Sequence, residues 1–590
     1  MDIDLNDIIS DQSQTKEQET PKWKKYLLIG GVIAVFLILL TIIIILIATS
    51  GDDKQKEKEK DIIGEIICKY EISDKTSKTS ILGKEFNYED NFYITIGDQR
   101  IDFTKEYLFE ETGEIDIKFN IYSDINMDNM FKNIPSLVSV VMHSNNDAKA
   151  TSMISSFENC ENLKDFTITG FNTAEVKSMK NLFYKSGLSN VNLVGFSTDN
   201  VEDFSYMFSS ISSQSINIEK FNTSKAKNMS HMFDGSSVLN IDFSNIDTSN
   251  VEDMSYMFKS CDSITELNLE KFDTRKVRDM AGMFMDCISL ISLDVSKFDT
   301  SQVTDMSFMF NNDNSLKEIS ISNFITSKVK NMSYIFNYCN NLEELDLLNF
   351  DTSEVLDMSF MFGFCRNIKS FDVNNFITNN VENMAGMFKY CIATANIEVQ
   401  NFKTSKVKNM SRLFEDCYLL TSLNVSKFNT ENVQDMSHMF HDCTIVTSLD
   451  ISNFSTSNVI DMSEMFSGLT KVWLLDVSKF DTSKVTNTSR MFRNMNILRG
   501  LDLSTFDTSN VKDMSFMFEK VSNIGLFSIS NFVTSQVVDM RSIFEDCSSL
   551  ISVDVSKFDT SQVTSFNRMF SGCKKLKSLD ISNFNTKKVT

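Results

Sequence analysis

Hydrophobic and polar residues follow one another along most of this chain with a fixed period. A Phe, most often preceded by Met, returns every 26 residues, except for three steps of 25 between Phe183 and Phe258. A period of this size predicts one supersecondary unit stacked on copies of itself. The repeated Phe occupies eighteen positions: Phe131, Phe157, Phe183, Phe208, Phe233, Phe258, Phe284, Phe310, Phe336, Phe362, Phe388, Phe414, Phe440, Phe466, Phe492, Phe518, Phe544 and Phe570.

One clean unit is residues 290–315, LISLDVSKFDTSQVTDMSFMFNNDNS, in which two patterns follow each other. Leu290, Leu293 and Val295 alternate with polar residues, as in a short strand. The second half of the unit has apolar residues spaced by three and four, which is typical of one face of a helix of about two turns. These residues are Val303, Met306, Met309 and Phe310.

The polar pair Thr300 and Ser301 predicts a turn between strand and helix, and Asp305 is placed to cap the helix start. Each repeat is therefore expected to contribute one short strand and one short helix. Stacking these units predicts an α/β solenoid of about 18 repeats, each of 25–26 residues.

The chain is predicted to have five parts. Residues 1–25 are polar and predict a disordered cytoplasmic tail, and residues 50–60 form a charged spacer. Residues 61–126 are rich in strand-forming segments and predict a small β-rich module that caps the solenoid. The solenoid itself is predicted to occupy residues 127–590.

The fifth part, residues 26–49, is an uncharged apolar run preceded by Trp23 and three lysines. As a helix of 24 residues it would extend about 36 Å, which is enough to cross a bilayer once. The lysines favour a cytoplasmic N-terminus, so the sequence predicts a single-pass type II protein with an extracellular repeat array. A cleaved signal peptide is the alternative that the residues leave open.

Net charge and the positions of the cysteines restrict the possible partners and the possible cross-links. The formal net charge of −23 argues against nucleic acid as a partner, because phosphate contacts require a basic face. Ten of the eleven cysteines lie three residues after a repeat Phe, where other repeats carry Leu469 or Met495. A position shared by Cys, Leu and Met predicts buried free thiols, with disulfides between neighbouring repeats as the alternative.

The repeated run Leu-Asp-Val-Ser-x-Phe-Asp-Thr-Ser-x-Val-x-Asp-Met-Ser-x-Met-Phe stands nearly unbroken at 293–309, 449–466 and 501–518. It resembles the BspA-like leucine-rich repeat, also called the domain of unknown function 285 repeat. The resemblance implies a right-handed, leucine-rich-repeat-like coil on a cell surface, with roles in adhesion for some members. It implies no shared catalytic residues.

Two constellations could suggest metal chemistry. His438-x-x-His441-x-Cys443 resembles a metal-ligand spacing, but His438 fills a variable slot expected to face solvent while Cys443 points inwards. A repeated Asp/Asn column that includes Asp305 could suggest calcium, yet Asn serves there as well as Asp, which favours backbone bonding. We therefore expect no metal, no cofactor and no catalytic residue, hence no enzyme.

The function expected from these features is adhesion or recognition of an extracellular protein or cell-surface ligand. The candidate binding face is the strand side, at polar residues that alternate outwards: Asp294, Ser296, Asp450 and Ser452. Two alternatives remain open at this point. One is a structural surface coat or spacer, and the other is a receptor that signals through a cytoplasmic partner.

Overall fold

The structure, a computed structural model, describes residues 60–191, 193 and 195–590. The predicted tail at 1–25, the predicted membrane span at 26–49 and all but the last residue of the spacer at 50–60 lie outside the described residues. Within the described residues, no helix has the length and apolar character that crossing a membrane requires.

Residues 61–126 form strands and one short 3-10 helix at Glu89–Asn91. The strands are β1 Gly64–Ile72, β2 Thr79–Ser80, β3 Phe92–Ile96, β4 Gln99–Ile101, β5 Glu106–Tyr107, β6 Gly113–Ile121 and β7 Ile125–Asn126. Buried residues alternate with mostly half-buried ones along β1, where Ile66, Cys68 and Tyr70 are buried.

The repeat region contributes twelve further strands, all short. They are β8 Leu137–His143, β9 Ala150–Ser152, β10 Asp165–Thr169, β11 Asn190–Val191, β12 Ser215–Ile216, β13 Asn240–Ile241, β14 Ser292–Leu293, β15 Glu318–Ile319, β16 Ser370–Phe371, β17 Asn396–Ile397, β18 Leu526–Phe527 and β19 Ser552–Val553. Neighbouring repeats pair in parallel, with β14 beside β15 and β18 beside β19.

Strand β8 joins the two regions into one nine-stranded sheet, in the order β13-β12-β11-β10-β8-β1-β6-β3-β4. On one side β8 pairs in parallel with β10, the next repeat, and on the other it pairs antiparallel with β1. The edge strand of the first repeat is therefore covered by β1, which removes an open edge that could pair with another chain.

The predicted helix of each repeat is absent from the described repeats, and the α/β solenoid is wrong. Where residues 303–310 were expected to be helical, Met309 N–H donates to Met306 O at 3.3 Å and Asn311 N–H donates to Phe308 O at 3.0 Å. Phe308 and Asn312 have φ of 59° and 65°, in the left-handed region that no α-helix uses. This segment is two tandem turns.

The N–H groups between these turn bonds point to the next repeat. Those of Phe308, Phe310 and Asn312 donate to the carbonyls of Ser333, Ile335 and Asn337 at 2.9, 3.0 and 2.8 Å. A helix would use all of these donors within one repeat. Because alternate donors instead join successive repeats, the fold is a β-solenoid, and each repeat is one rung.

A column of Asp, Asn and Ser residues joins the rungs on this side by parallel backbone bridges. Asp305 Oδ1 also accepts hydrogen bonds from the N–H and Oγ of Ser307 at 2.8 and 2.6 Å, so it fixes the start of the turns and caps no helix. Sixteen rungs are bridged at Ser178, Asp203, Asn228, Asp253, Asp279, Asp305, Asn331, Asp357, Asn383, Asn409, Asp435, Asp461, Asn487, Asp513, Asp539 and Ser565.

The core of the solenoid is a stack of the repeat Phe rings. The centroids of Phe284 and Phe310 are 5.7 Å apart with ring planes 3° from parallel, and the same arrangement recurs from rung to rung. Each such pair contributes about 0.5–1.5 kcal/mol beyond the area it buries. The Val, Met and Leu columns predicted to be apolar are buried around this stack.

The prediction of buried free thiols is confirmed for the cysteines of the described residues. All are free, and all are buried except the half-buried Cys573. A typical one, Cys339, donates its Sγ–H to Phe310 O at 3.0 Å. Burial raises the pKa of the Cys417 thiol to about 12, and that of Cys573 to about 11.

A second column of side chains, five residues before the Asp/Asn column in each rung, also ties the rungs together. Thr430 Oγ1 donates to Ser455 O at 2.8 Å and accepts from Ser455 N–H at 2.8 Å, so one buried hydroxyl satisfies both backbone groups of its neighbour. Each threonine of this column donates to the next rung: Thr173, Thr198, Thr223, Thr248, Thr274, Thr300, Thr326, Thr352, Thr378, Thr404, Thr430, Thr456, Thr482, Thr508, Thr534 and Thr560.

The threonine column can be tested with two single substitutions. Thr430→Val keeps the shape but removes the hydroxyl, leaving both backbone groups of Ser455 unpaired, at a cost of about 1–3 kcal/mol in stability. Thr430→Ser keeps the hydroxyl and loses one methyl, at about 0.8 kcal/mol. Native-state amide exchange should show faster exchange at Ser455 in the Val variant only. Equal exchange rates at Ser455 in the two variants would show that the threonine hydroxyls do not hold the rungs together.

Thiol reactivity gives an independent test of the core. Because the buried thiols have raised pKa values and no access to solvent, we expect a thiol-specific reagent at mildly alkaline pH to modify Cys573 first in the native protein. The remaining thiols should react only after denaturation. Rapid reaction of Cys417 or Cys443 in the native protein, located by peptide mass spectrometry, would contradict the packing described above.

Candidate functional site

The predicted binding residues lie in the loop that follows the strand of each rung. Ser296 N–H donates to Asp294 Oδ1 at 2.9 Å, and Ser452 N–H and Oγ donate to Asp450 Oδ1 at 3.1 and 2.7 Å. In each pair the Asp is exposed and the Ser is half-buried. The two pairs are six rungs apart, or about 29 Å at the spacing of paired strands, so they do not form one compact site.

These aspartates keep their charge. Hydrogen bonds from the hydroxyl and the N–H of Ser452 lower the pKa of Asp450, and those from Ser478 do the same for Asp476 in the next rung. Both carboxylates are therefore ionised at neutral and mildly acidic pH. The strand side carries fixed negative charge beside the residues described next.

A cluster of large apolar side chains lies exposed on the same side, starting one rung after Asp450. We call Trp473, Leu474, Leu526 and Ile551 the apolar cluster. Trp473, Leu474 and Leu526 are 52%, 59% and 65% exposed. Apolar side chains this exposed contribute little to the core, and contiguous groups of them mark interaction surfaces.

The apolar cluster contains a notch. Leu474, Gly500 and Leu526 hold the same strand position in three successive rungs, so the two leucines stand about 10 Å apart with only a glycine between them. A Cβ added to Gly500 would meet no atom within 4 Å, which shows that the space above it is open. The notch has room for one apolar side chain of another molecule.

Arg499 borders the notch. Its N–H donates to Trp473 O at 3.0 Å as part of the pairing between rungs, and its guanidinium carbon lies 5.8 Å from the centroid of the Trp473 ring. This cation–π contact holds the indole at the rim of the notch. A Trp and an Arg placed together at an apolar rim match the composition of energetically dominant interface residues.

The tandem turns carry aromatic ladders on another side of the rungs. Phe308, Tyr334 and Phe360 stack with centroids 4.7 and 4.8 Å apart. The last ring covers Gly386, since a Cβ there would come within 2.5 Å of Phe360. Because the ring faces are used on each other, these ladders stabilise the left-handed turns and leave mainly their edges to solvent.

The motif His438-x-x-His441-x-Cys443 divides between the core and the turn side of the rung, and His438 is half-buried there rather than facing solvent as expected. Cys443 is buried and donates its Sγ–H to Phe414 O at 3.1 Å, as its register predicts. His438 and His441 lie on the turn side beside Glu415 and Asp416. Both carboxylates belong to the rung before that of the histidines, so their proximity follows only from the stacking of rungs.

Sequence reasoning missed the apolar cluster, although the sequence contains a signal for it. The slots of Trp473 and Leu474 hold Lys317 and Glu318 in another rung, so a pair of large apolar residues departs from the polar pattern of an exposed position. Gly500 gives no such signal, because a glycine in a strand has several common explanations.

Comparison with known families identifies the repeat. Seven overlapping segments that together cover residues 105–590 match the family described as "Mycoplasma protein of unknown function, DUF285": 105–217, 210–319, 288–397, 312–420, 391–499, 470–551 and 521–590. The chain therefore belongs to this family of repeat proteins, as its motif predicts. No curated protein matched the sequence. The BspA-like name remains a prediction.

The exposure of the apolar cluster predicts how it tolerates polar substitution. Replacing both Leu474 and Leu526 by Gln should change stability by no more than about 0.5 kcal/mol per site, because neither side chain is buried. The same double variant should bind less of an apolar fluorescent dye than the unmodified protein. A large fall in the thermal midpoint would show instead that these leucines belong to the core.

Proposed function

We propose that this DUF285-family solenoid is a recognition protein, and that it binds a protein ligand through the apolar cluster on the strand side. The observation that carries the proposal is the open notch above Gly500, between Leu474 and Leu526. This proposal keeps the strand side predicted from the sequence. It moves the centre of binding from the aspartate–serine turns to the apolar residues beside them.

Two features favour a protein as the ligand. The space above Gly500 is open and the leucines on either side of it are aliphatic, whereas small-molecule sites are enclosed and bury most of the ligand. A protein can instead place one apolar side chain in the notch and cover the surrounding surface. In that arrangement the inserted side chain, Trp473 and Arg499 form the centre of the interface.

The negative charges near the notch favour a ligand with basic residues. Asp476 and Asp502 are exposed two residues after Leu474 and Gly500, and hydrogen bonds from Ser478 and Ser504 lower their pKa values, so both are ionised near the notch. We therefore expect the ligand to carry a Lys or Arg a few residues from the inserted apolar side chain. Charges at the rim of an interface act mainly on the association rate and on its salt dependence.

The experiment is a selection of peptides from a displayed random library on immobilised full-length protein, followed by affinity measurements on synthetic copies. Gly500→Val fills the notch at a position where an added Cβ meets nothing, so the variant should fold normally. It should weaken binding by about 30-fold, the loss typical of one dominant interface contact. Replacing the apolar anchor of the peptide by Ala should have the same effect.

Ser370→Val is the matched control, because Ser370 holds the same exposed strand position four rungs before Leu474. It should leave the affinity unchanged. In a Trp23→Phe background, Trp473 is the only tryptophan, and its emission should shift to shorter wavelength when peptide binds. The proposal fails if peptides bind the Gly500→Val variant and the unmodified protein equally well.

A further inference from the structure

Two histidines and two glutamates converge on the turn side of three successive rungs. His438 and Glu464 hold the first left-handed turn position of their rungs, one repeat apart, with φ of 56° and 55°. Glu415 and His441 hold the position three residues further on, also one repeat apart. The stacking of rungs therefore brings four potential metal ligands together that are up to 49 residues apart in the sequence.

Three distances between their ligand atoms are close to those of a metal coordination shell. His438 Nδ1 lies 3.4 Å from Glu415 Oε1 and 3.9 Å from Glu464 Oε2, and His441 Nε2 lies 3.0 Å from Glu464 Oε2. One ligand atom each of Glu415, His438 and His441 fall within 4.8 Å of one another. Ligands about 2.0–2.1 Å from a tetrahedral Zn²⁺ stand about 3.4 Å from each other.

One ring nitrogen of each histidine at this site lacks a hydrogen-bond partner. His438 Nδ1 and His441 Nδ1 are both shielded from solvent, and neither makes a hydrogen bond. The two side chains are only 19% and 17% exposed. His438 Nδ1 is a shielded ring nitrogen with a carboxylate oxygen of Glu415 at 3.4 Å and no hydrogen bond, and an ion between these two groups would explain this exception.

A further carboxylate is placed to orient His441. Its Nδ1 faces Asp416 Oδ1 at 3.6 Å, while its Nε2 faces the glutamates. Asp416 Oδ1 in turn accepts a hydrogen bond from Tyr418 Oη at 3.0 Å. A carboxylate behind a histidine, with the other ring nitrogen on the ion, is the usual outer shell of a zinc site.

We propose that His438 Nδ1, His441 Nε2, Glu415 and Glu464 bind one Zn²⁺ ion across three rungs, with Asp416 orienting His441. This departs from the expectation of no metal, which rested on His438 facing solvent. The ion would link rungs through side chains at a point where the left-handed turns carry no aromatic ladder. Imidazole and carboxylate together suit Zn²⁺ better than Ca²⁺ or Mg²⁺, which prefer oxygen ligands alone.

Three cations already contact the two glutamates. Lys389 Nζ lies 2.8 Å from Glu415 Oε2, and Arg490 Nη1 lies 3.3 Å from Glu464 Oε1; both hold oxygens that face away from His438. Arg412 Nη1 lies 2.8 Å from Glu415 Oε1, the oxygen assigned to the ion. Arg412 therefore competes with the metal, and its removal should tighten binding.

The test is calorimetric titration of metal-stripped, full-length protein with Zn²⁺ at neutral pH, with Co²⁺ as a spectroscopic probe. We expect one saturable site, a higher thermal midpoint with Zn²⁺, and the intense visible absorption of tetrahedral Co²⁺ without thiolate charge-transfer bands. His438→Gln and His441→Gln should each abolish the site. Asp416→Asn should weaken it about 10- to 100-fold, and Arg412→Gln should strengthen it.

The chain offers a matched control, since it contains four histidines in all. His231 occupies the same left-handed turn position as His438, but it stacks between Tyr206 and Tyr256 and pairs with Asp234. His231→Gln should therefore leave Zn²⁺ binding unchanged. The proposal is overturned if the unmodified protein shows no saturable site, or if its site persists in both the His438→Gln and His441→Gln variants.

Discussion

The hydrogen bonds between successive rungs are the interactions on which this structure depends. A rung contains at most a short strand and a series of turns, so most of its backbone donors have no partner within the rung. They are satisfied by the neighbouring rung, through the bridges of the Asp/Asn column, the alternate donors of the tandem turns and the hydroxyls of the threonine column. Each residue must therefore face its equivalent, which explains why the period stays at 25 or 26 residues.

Much of this could be predicted from the sequence. The period, the Phe column and the buried thiols all follow from which residues repeat, because a repeated apolar residue must be placed in a repeated core. The helix could not be predicted correctly. Val303, Met306, Met309 and Phe310 are spaced by three and four, and two tandem turns bury the same spacing that a helix would. Periodicity alone does not distinguish a helix from tandem turns. The two differ in where every second N–H group donates: to a carbonyl of the same repeat in a helix, and to a carbonyl of the next repeat here.

The candidate sites were less predictable than the core, because they also depend on contacts between rungs. Trp473 and Leu474 depart visibly from a polar slot, but the importance of Gly500 appears only when the leucines on either side are known to lie in adjacent rungs. Likewise, the spacing of His438 and His441 does not reveal Glu415 and Glu464, which the stacking brings from the rung before and the rung after. Both sites are formed by residues of neighbouring rungs, so their side chains are recognised as a group only when the stacking of the rungs is known.

A regular backbone also determines where function can reside. Because each rung contacts only its neighbours, a substitution is felt over about one rung on each side, and the columns that carry the rung-to-rung bonds are constrained along the whole array. The exposed strand positions and the left-handed turn positions are not constrained in this way. The left-handed turn positions hold Phe, Tyr, His, Arg, Glu, Asn, Ser and Gly in different rungs. Local chemistry can therefore be placed on any rung without disturbing the others. In this chain, the apolar notch and the histidine–glutamate cluster are two examples of such local chemistry. They lie on different sides of the rungs, so a substitution in one should leave the other unchanged.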